Sequence, residues 1–192
     1  MSSNAGVSQE AFRRKPRPVW SSEYALLRGW GSVKIHRGNE MIEINKSATA
    51  DTRTCDFANT SKETLLASSY QHIGDVRKAL FFMQDKLLES AEVHDRDKIS
   101  DIDGFHRDFV TGFKQTSWWD NHRKVNRHHL LQMDGVPDDV NLIDVLDMIC
   151  DCVMAGMARS GSVYQLDINE TVLRRAFDNT VDLLKYNVKV SD

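Results

Sequence analysis

Long apolar runs are missing from this chain. No stretch approaches the roughly twenty consecutive apolar residues that span a bilayer. The most apolar segment, "LIDVLDMICDCVMAGMA" at 142–158, is interrupted by three aspartates. The opening "MSSNAGVSQEAFRRKPRP" lacks the apolar centre of a signal peptide. Cysteine is scarce: Cys55, Cys150 and Cys152 make an odd number, two of them one residue apart, which suits reduced thiols better than a disulfide framework. Charge of one sign is also wanting. A formal net charge of -3 argues against a general nucleic-acid coat. These absences set the expectation of a soluble, cytoplasmic protein with neither membrane nor nucleic acid as partner.

What is present is ordinary globular material. A chain of 192 residues can bury one core, and 41% apolar with 28% charged residues is a usual balance for such a domain. Residues 1–18 carry Arg13, Arg14, Lys15 and Arg17 with two prolines and read as a flexible basic arm. Residues 19–60 read as an N-terminal extension. Within it "SVKIHRGNEMIEIN" alternates at Val33 and Ile35 and again at Ile42 and Ile44 around a Gly-Asn turn signal, the pattern of a β-hairpin. A lid, a dimer contact in a homo-oligomer and a partner-binding arm are all compatible with that extension.

From 61 to 192 the pattern is helical, so the expected class is all-α. "TSKE" fits a capping box with Thr60 as cap and Glu63 reaching back. Val76, Ala79, Leu80, Met83 and Leu87 then recur at helical spacing. "GFHRDFVTGF" and "SWWDNHRKVNRHHLL" suggest shorter helices. A strong helix follows over "DVNLIDVLDMICDCVMAGMARSG", with Gly161 as its stop. "INETVLRRAFDNTVDLLKY" closes the domain with Leu173, Ala176, Phe177 and Leu184 on one face.

The strong helix carries the chemistry. Leu142, Val145, Leu146, Ile149, Val153 and Met157 form an apolar stripe, while Asp144, Asp147 and Asp151 share an arc of about 60° opposite. An acidic arc is usually a solvated face. Here Met148, Ala155 and Ala158 lie beside the acids, and 142–158 contains no Lys, Arg, Glu, Ser or Gln. A helix apolar all round is normally buried, and buried carboxylates need charged partners, for which metal ions and histidines are the candidates.

Five of the seven histidines have suggestive settings. His72 sits on the apolar side of its helix, where a hydrogen-bonded core histidine is the commoner role. His94 and Asp95 follow the end of that helix. His122 and His129 are seven apart, on one face if their helix persists, with His128 adjacent. His36 and His106 read as surface residues.

The order H, HD, H, HH and a late aspartate resembles the HD-domain metal-dependent phosphohydrolases, all-helical enzymes acting on phosphate esters, commonly nucleotides. The segments "HIGDV", "HDRDK", "HRKVNRHH" and "LIDVLDMICDCVMAG" are similar to a family of small phage and bacterial proteins patterned "HI…V", "HDxSK", "H..N.HH" and "L.D..EM..DW.AA". The chain departs from that pattern at Leu130-Leu131, where the family has Pro-Glu, and at Asp147, where it has glutamate. The resemblance implies an HD-like helical bundle whose metal ligands are His72, His94, Asp95, His122, His128, His129, Asp147 and Asp151. It implies two divalent transition ions, since imidazole and carboxylate together suit Fe, Mn, Co or Zn better than Mg. Asp95 and Lys98 would be catalytic, and Lys98, Arg123 and Arg127 would hold substrate phosphate. The substrate would be a nucleotide, cleaved as monoester, triphosphate or cyclic diester, in the host cytoplasm if the chain is phage-encoded. Two other readings stand beside this one: a metal-stabilised protein that binds a partner without catalysis, and a helical protein whose acids and histidines form buried ion pairs without metal.

Overall fold

The computed structural model describes residues 41–47 and 57–192. The basic arm, most of the extension and the first run of the expected hairpin (Val33, Ile35) lie outside the described residues. The architecture is helical, as expected, with one two-stranded sheet. Strand β1 (Ile42–Asn45) is followed by helices α1 (Lys62–Val93), α2 (Asp97–Ser100), α3 (Ile102–Phe109), α4 (Trp118–Val125), α5 (Leu142–Ser160) and α6 (Glu170–Tyr186), then strand β2 (Val188–Ser191). The second run of the expected hairpin is a strand, but its described partner is β2. The two run parallel, with Ile42 opposite Val188 and Asn45 opposite Ser191. Parallel pairing of the two ends of the described chain is possible because α1 to α6 form the crossover between them.

Helix α1 starts one residue later than expected: Ser61, not Thr60, caps it by accepting the Thr64 N–H at 3.1 Å. It then runs unbroken for 32 residues, about 48 Å at 1.5 Å per residue. Only Ser68 and Phe82 on it are buried, and Val76, Leu80 and Leu87 of the expected core face are exposed. Its later turns pack on α5 and reach the site.

Helix α5 encloses its acids, as their apolar setting suggests, but covers its apolar stripe only in part. Ile143, Asp144, Val145 and Met148 are buried, whereas Leu146, Ile149 and Met157 from the apolar stripe are exposed. The acidic arc therefore faces inward. Periodicity locates a stripe, but it cannot say that the stripe is what the fold covers; here the polar partners of the acids decide. Asp144 is 3% exposed. It completes a capping box by accepting the Asn141 N–H at 2.9 Å, and it receives Arg127 Nε at 2.8 Å and Nη2 at 2.9 Å. Gly161 ends the helix at φ 68, a left-handed conformation that glycine adopts without a steric penalty. Gly156 lets the following chain fold back, because a Cβ there would lie 2.7 Å from the Ser162 carbonyl.

The core is small: Leu130, Val140, Val145, Met148, Val172 and Ala176, with Val136, Leu142, Cys152 and Ile168 at its margin. Helix α6 contributes Val172, Ala176 and Thr180, spaced four apart, while the expected Leu173 and Phe177 point outward. The buried Thr180 hydroxyl accepts the Leu142 N–H at 2.8 Å, which satisfies one open donor at the start of α5. No helix among the described residues is long and apolar enough to cross a membrane.

The Arg127–Asp144 pair gives a direct test of this packing. Replacing Arg127 by Met leaves a buried carboxylate without its cation, so stability should fall by about 3 kcal/mol, read as a lower urea midpoint. An unchanged midpoint would mean that Asp144 does not depend on Arg127.

Candidate metal centre

Helix α1 ends at Val93 because the chain turns at once: the His94 N–H returns to the Ser90 carbonyl, and Asp95 takes a left-handed φ of 52. Aspartate tolerates that conformation better than most residues. Asn126 holds it by accepting the Asp95 N–H at 3.2 Å. The turn moves Asp95 off the helix axis and aims its carboxylate at four imidazoles.

Those imidazoles come from three places. His94 follows α1, His122 is on α4, and His128 and His129 are in the loop beyond it. The expectation that His122 and His129 share a helix face is corrected. Helix α4 stops at Val125, and Asn126 is extended at φ -95 and ψ 109. A turn, not helical periodicity, brings His129 Nε2 to 3.0 Å from His122 Nε2. Helix α4 is itself anchored from below. The fully buried Asp108 accepts the Thr116 N–H at 3.1 Å and the Trp119 N–H at 2.9 Å, and Trp118 Nε1 donates to Asp101 at 2.9 Å.

Two carboxylates orient the rings. Asp147 Oδ1 lies 2.7 Å from His94 Nδ1, and Asp97 Oδ2 lies 2.8 Å from His122 Nδ1. A carboxylate can only accept, so each Nδ1 carries a proton, and in the neutral ring Nε2 then offers a lone pair. The Nε2 atoms converge on one residue. His94 Nε2 is 3.6 Å from Asp95 Oδ2, and His122 Nε2 and His128 Nε2 are 3.3 and 3.6 Å from Asp95 Oδ1. Asp95 Oδ1 and His128 Nε2 are buried and have no hydrogen-bond partner.

Such an arrangement fits a cation. Ligand atoms about 2.1 Å from a tetrahedral ion are about 3.4 Å from one another, which is the spacing of these atoms. Two three-residue groups can each surround an ion, His94 with Asp95 and His128, and Asp95 with His122 and His129. Asp95 belongs to both.

Protonation states agree with this geometry. Burial first, then neighbouring His128 and His122, push the His129 imidazole down to about 4. Burial also lowers His128, against the opposing pull of Asp147. For Asp95 burial opposes ionisation, yet the Lys98 bond and charge outweigh it and hold the carboxyl below its ordinary range. Ionised Asp95 thus lies beside neutral His128 and His129, the forms that bind divalent metals.

The remaining expected residues divide. Lys98 is at the centre: its ammonium bonds Asp95 Oδ2 and lies 5.9 Å from the Trp119 ring centroid. Asp151 is at the outer margin, 4.0 Å from His94 Nε2 and outside both groups. Asp147 is close by but engaged, since Ser90 Oγ donates to its second oxygen at 2.8 Å. It holds His94 in place. His72 is elsewhere. It is exposed on α1, and with the helix continuous it lies twenty-two residues from His94, about 33 Å along the axis. Arg123 and Arg127 are committed to other bonds. Arg123 bonds Gln132 and lies 2.8 Å from both Asp120 and Asp134, with only its Nε unpartnered. Arg127 joins Asp144 to Asp139.

Three contributors lie beyond the sequence expectation: Asp97, Asn126 and Ser90. Asp97 is within the "HDRDK" segment, and Asn126 one turn after His122, but only the tertiary turn at Asp95 gives either a role. Beside the centre is a cavity of about 150 Å³ lined by Trp119, His128, Leu130, Leu131, Met148 and Cys152, among others. Burial, reinforced by Asp151, keeps the Cys152 thiol above its ordinary pKa. No family model, curated protein or solved structure matches the chain.

The depressed His129 has a measurable consequence in metal-free protein. The unfolded chain takes up this proton near 6.5 and the folded chain only near 4, so the stabilisation is complete above 6.5 and lost as pH falls towards 4. Urea midpoints measured after chelation should drop across that window, and His129→Gln should flatten the drop. Equal slopes for the two proteins would contradict the assignment.

Proposed function

We propose that the chain is a metal-dependent phosphohydrolase that cleaves a phosphate ester bond of a nucleotide. The observation that carries this reading is Asp95, shared by two groups of imidazole ligands with its Oδ1 buried and unpartnered. The HD-type resemblance supports it in the His94-Asp95 pair, the later histidines and the inward acids of α5. It does not extend to His72. A transition metal of the Fe, Mn, Co or Zn kind, in one or two copies, would acidify water and draw charge from phosphate oxygens when bound there.

The chain's own residues have separable tasks in this proposal. His94 and His128 present Nε2 on one side of Asp95, and His122 and His129 on the other. Asp147 and Asp97 keep the protons of His94 and His122 on Nδ1, which fixes ring direction as well as tautomer. Lys98 places an ammonium beside Asp95, where it can neutralise a phosphoryl oxygen. Trp119, Leu130 and Met148 give the adjoining cavity its apolar wall.

One observation favours a second reading, a metal-stabilised protein that binds a partner without turnover. Ile73, Val76, Leu80 and Leu88 leave a good part of α1 apolar and exposed. The two readings separate on one experiment. Protein purified without chelator is expected to contain one to two equivalents of transition metal by elemental analysis. Asp95→Ala should lose that metal, and Asp147→Asn should bind it ~10–100-fold more weakly. A nucleotide panel should show turnover that Asp95→Ala abolishes, read as released phosphate or pyrophosphate for mono- and triphosphates and as the ring-opened monoester for cyclic diesters. Metal without turnover would favour the second reading. No metal, and no activation by added manganese or iron, would leave neither.

A further inference from the structure

We infer that the centre is built for esters of a single phosphate and discriminates against polyphosphate. The inference rests on the phosphohydrolase reading and narrows its substrate class.

The first ground is the fate of the arginines. Polyphosphate sites need several cations free to pair with phosphate oxygens. Arg123 and Arg127 are the guanidinium groups of α4 and the loop after it, and both are already engaged by carboxylates. Asp120 and Asp134 flank Arg123, and Asp139 and Asp144 flank Arg127. Each arginine faces two acids, so each ensemble is negative rather than positive.

The second ground is the charge of the centre itself. Asp95, Asp97, Asp147 and Asp151 supply four carboxylates, and among the described residues Lys98 is the one ammonium bonded to them. Two divalent ions, the largest complement the ligand groups allow, would turn that surplus of three negative charges into one positive. Counting Arg96 as well, next to Asp95 in the chain, makes it two. A phosphate monoester dianion or a diester anion is compensated by this. A nucleoside triphosphate, with about four negative charges, leaves about two without a partner in a partly buried site, where unpaired charge is costly.

The third ground is size. The adjoining cavity, about 150 Å³ and mainly apolar in its lining, is the size that accommodates one benzene ring, and is smaller than the ~300–1,000 Å³ of sites enclosing drug-sized ligands. It takes one ring next to the phosphate, against Trp119, Leu130 and Met148.

The test uses manganese-saturated full-length protein and two readouts. Turnover is compared for thymidine monophosphate, phenyl phosphate and thymidine triphosphate. Binding is compared by calorimetry for phenylphosphonate and for the methylene-bridged, non-hydrolysable analogue of thymidine triphosphate. The single-phosphate compounds should lead by at least tenfold in kcat/KM and in affinity. The Asp120→Asn/Asp134→Asn protein, which releases Arg123, should shift the affinity ratio several-fold towards the triphosphate analogue. Tighter binding of the triphosphate analogue by the unmodified protein would overturn the inference. If nothing is hydrolysed, the phosphohydrolase reading fails, and the affinity order still decides the charge and size inference.

Discussion

A carboxylate held within 4 Å of three imidazole lone pairs is a repulsive arrangement, and the fold is organised around maintaining it. Asp95 Oδ1 has His122 Nε2 and His128 Nε2 beside it, and Oδ2 faces His94 Nε2 and the Lys98 ammonium. Lone pairs converge in this way only when something external to them holds the rings. Here the external restraints are carboxylates on the far side of the rings, Asp147 behind His94 and Asp97 behind His122, and the side chain of Asn126 that fixes the backbone of Asp95 itself. Remove those restraints and the rings would rotate to find donors. Helices α1, α2, α4 and α5 each supply one restraint or one ring, so their mutual placement and the geometry of the centre are a single problem.

The acids of α5 show how three residues on one arc can do three jobs. Asp144, nearest the helix start, is buried and bonds Arg127 and the Asn141 N–H, so it builds the helix terminus. Asp147, one turn on, faces α1 and bonds His94 and Ser90. Asp151, a further turn along, reaches the cavity margin. The gradient follows burial: the most enclosed acid has the strongest partner, a bidentate guanidinium, and the least enclosed one lies 4.0 Å from His94 Nε2. Pairing Arg127 with Asp144 is what makes an inward acidic face tolerable.

Much of the centre is legible in the chain because its signals are local. His94-Asp95 and His128-His129 are adjacent pairs, and the apolar setting of the α5 acids marks them as enclosed before any contact is visible. The failures have physical causes. His72 shares a helix face with apolar residues, but face says nothing about distance, and a continuous helix carries it away from His94. The apolar stripe of α5 is where the spacing puts it, yet only Val145 of it is buried while Leu146, Ile149 and Met157 are exposed, because periodicity gives direction relative to the helix axis and not to the fold. Leu173 and Phe177 are more apolar than Ala176 and Thr180, yet the fold buries the latter pair and leaves the former exposed. Charge alone assigns the arginines to phosphate; which acids claim them depends on loops that bring Asp120, Asp134 and Asp139 into range. The hairpin expectation relies on a neighbouring run, while the partner found for β1 is 146 residues away.

The modest core explains why the centre bears on stability as well as on chemistry. The described apolar core consists of six residues, and α1 buries little of its own apolar surface. Polar contacts tie the end of α1 to α5, Ser90 and His94 to Asp147, and His94 also meets the His128 ring of the loop after α4 at 4.4 Å. A cation seated between the Nε2 atoms would convert the repulsion at Asp95 into attraction at the junction where apolar packing contributes least. Binding energy at such a place adds to folding energy, because the unfolded chain has no comparable set of ligands. The catalytic and the metal-stabilised readings therefore share this physical core, and they differ only in whether the cavity beside Trp119 and Lys98 admits a phosphate ester. That makes the cavity, not the metal ligands, the part of the molecule that distinguishes them.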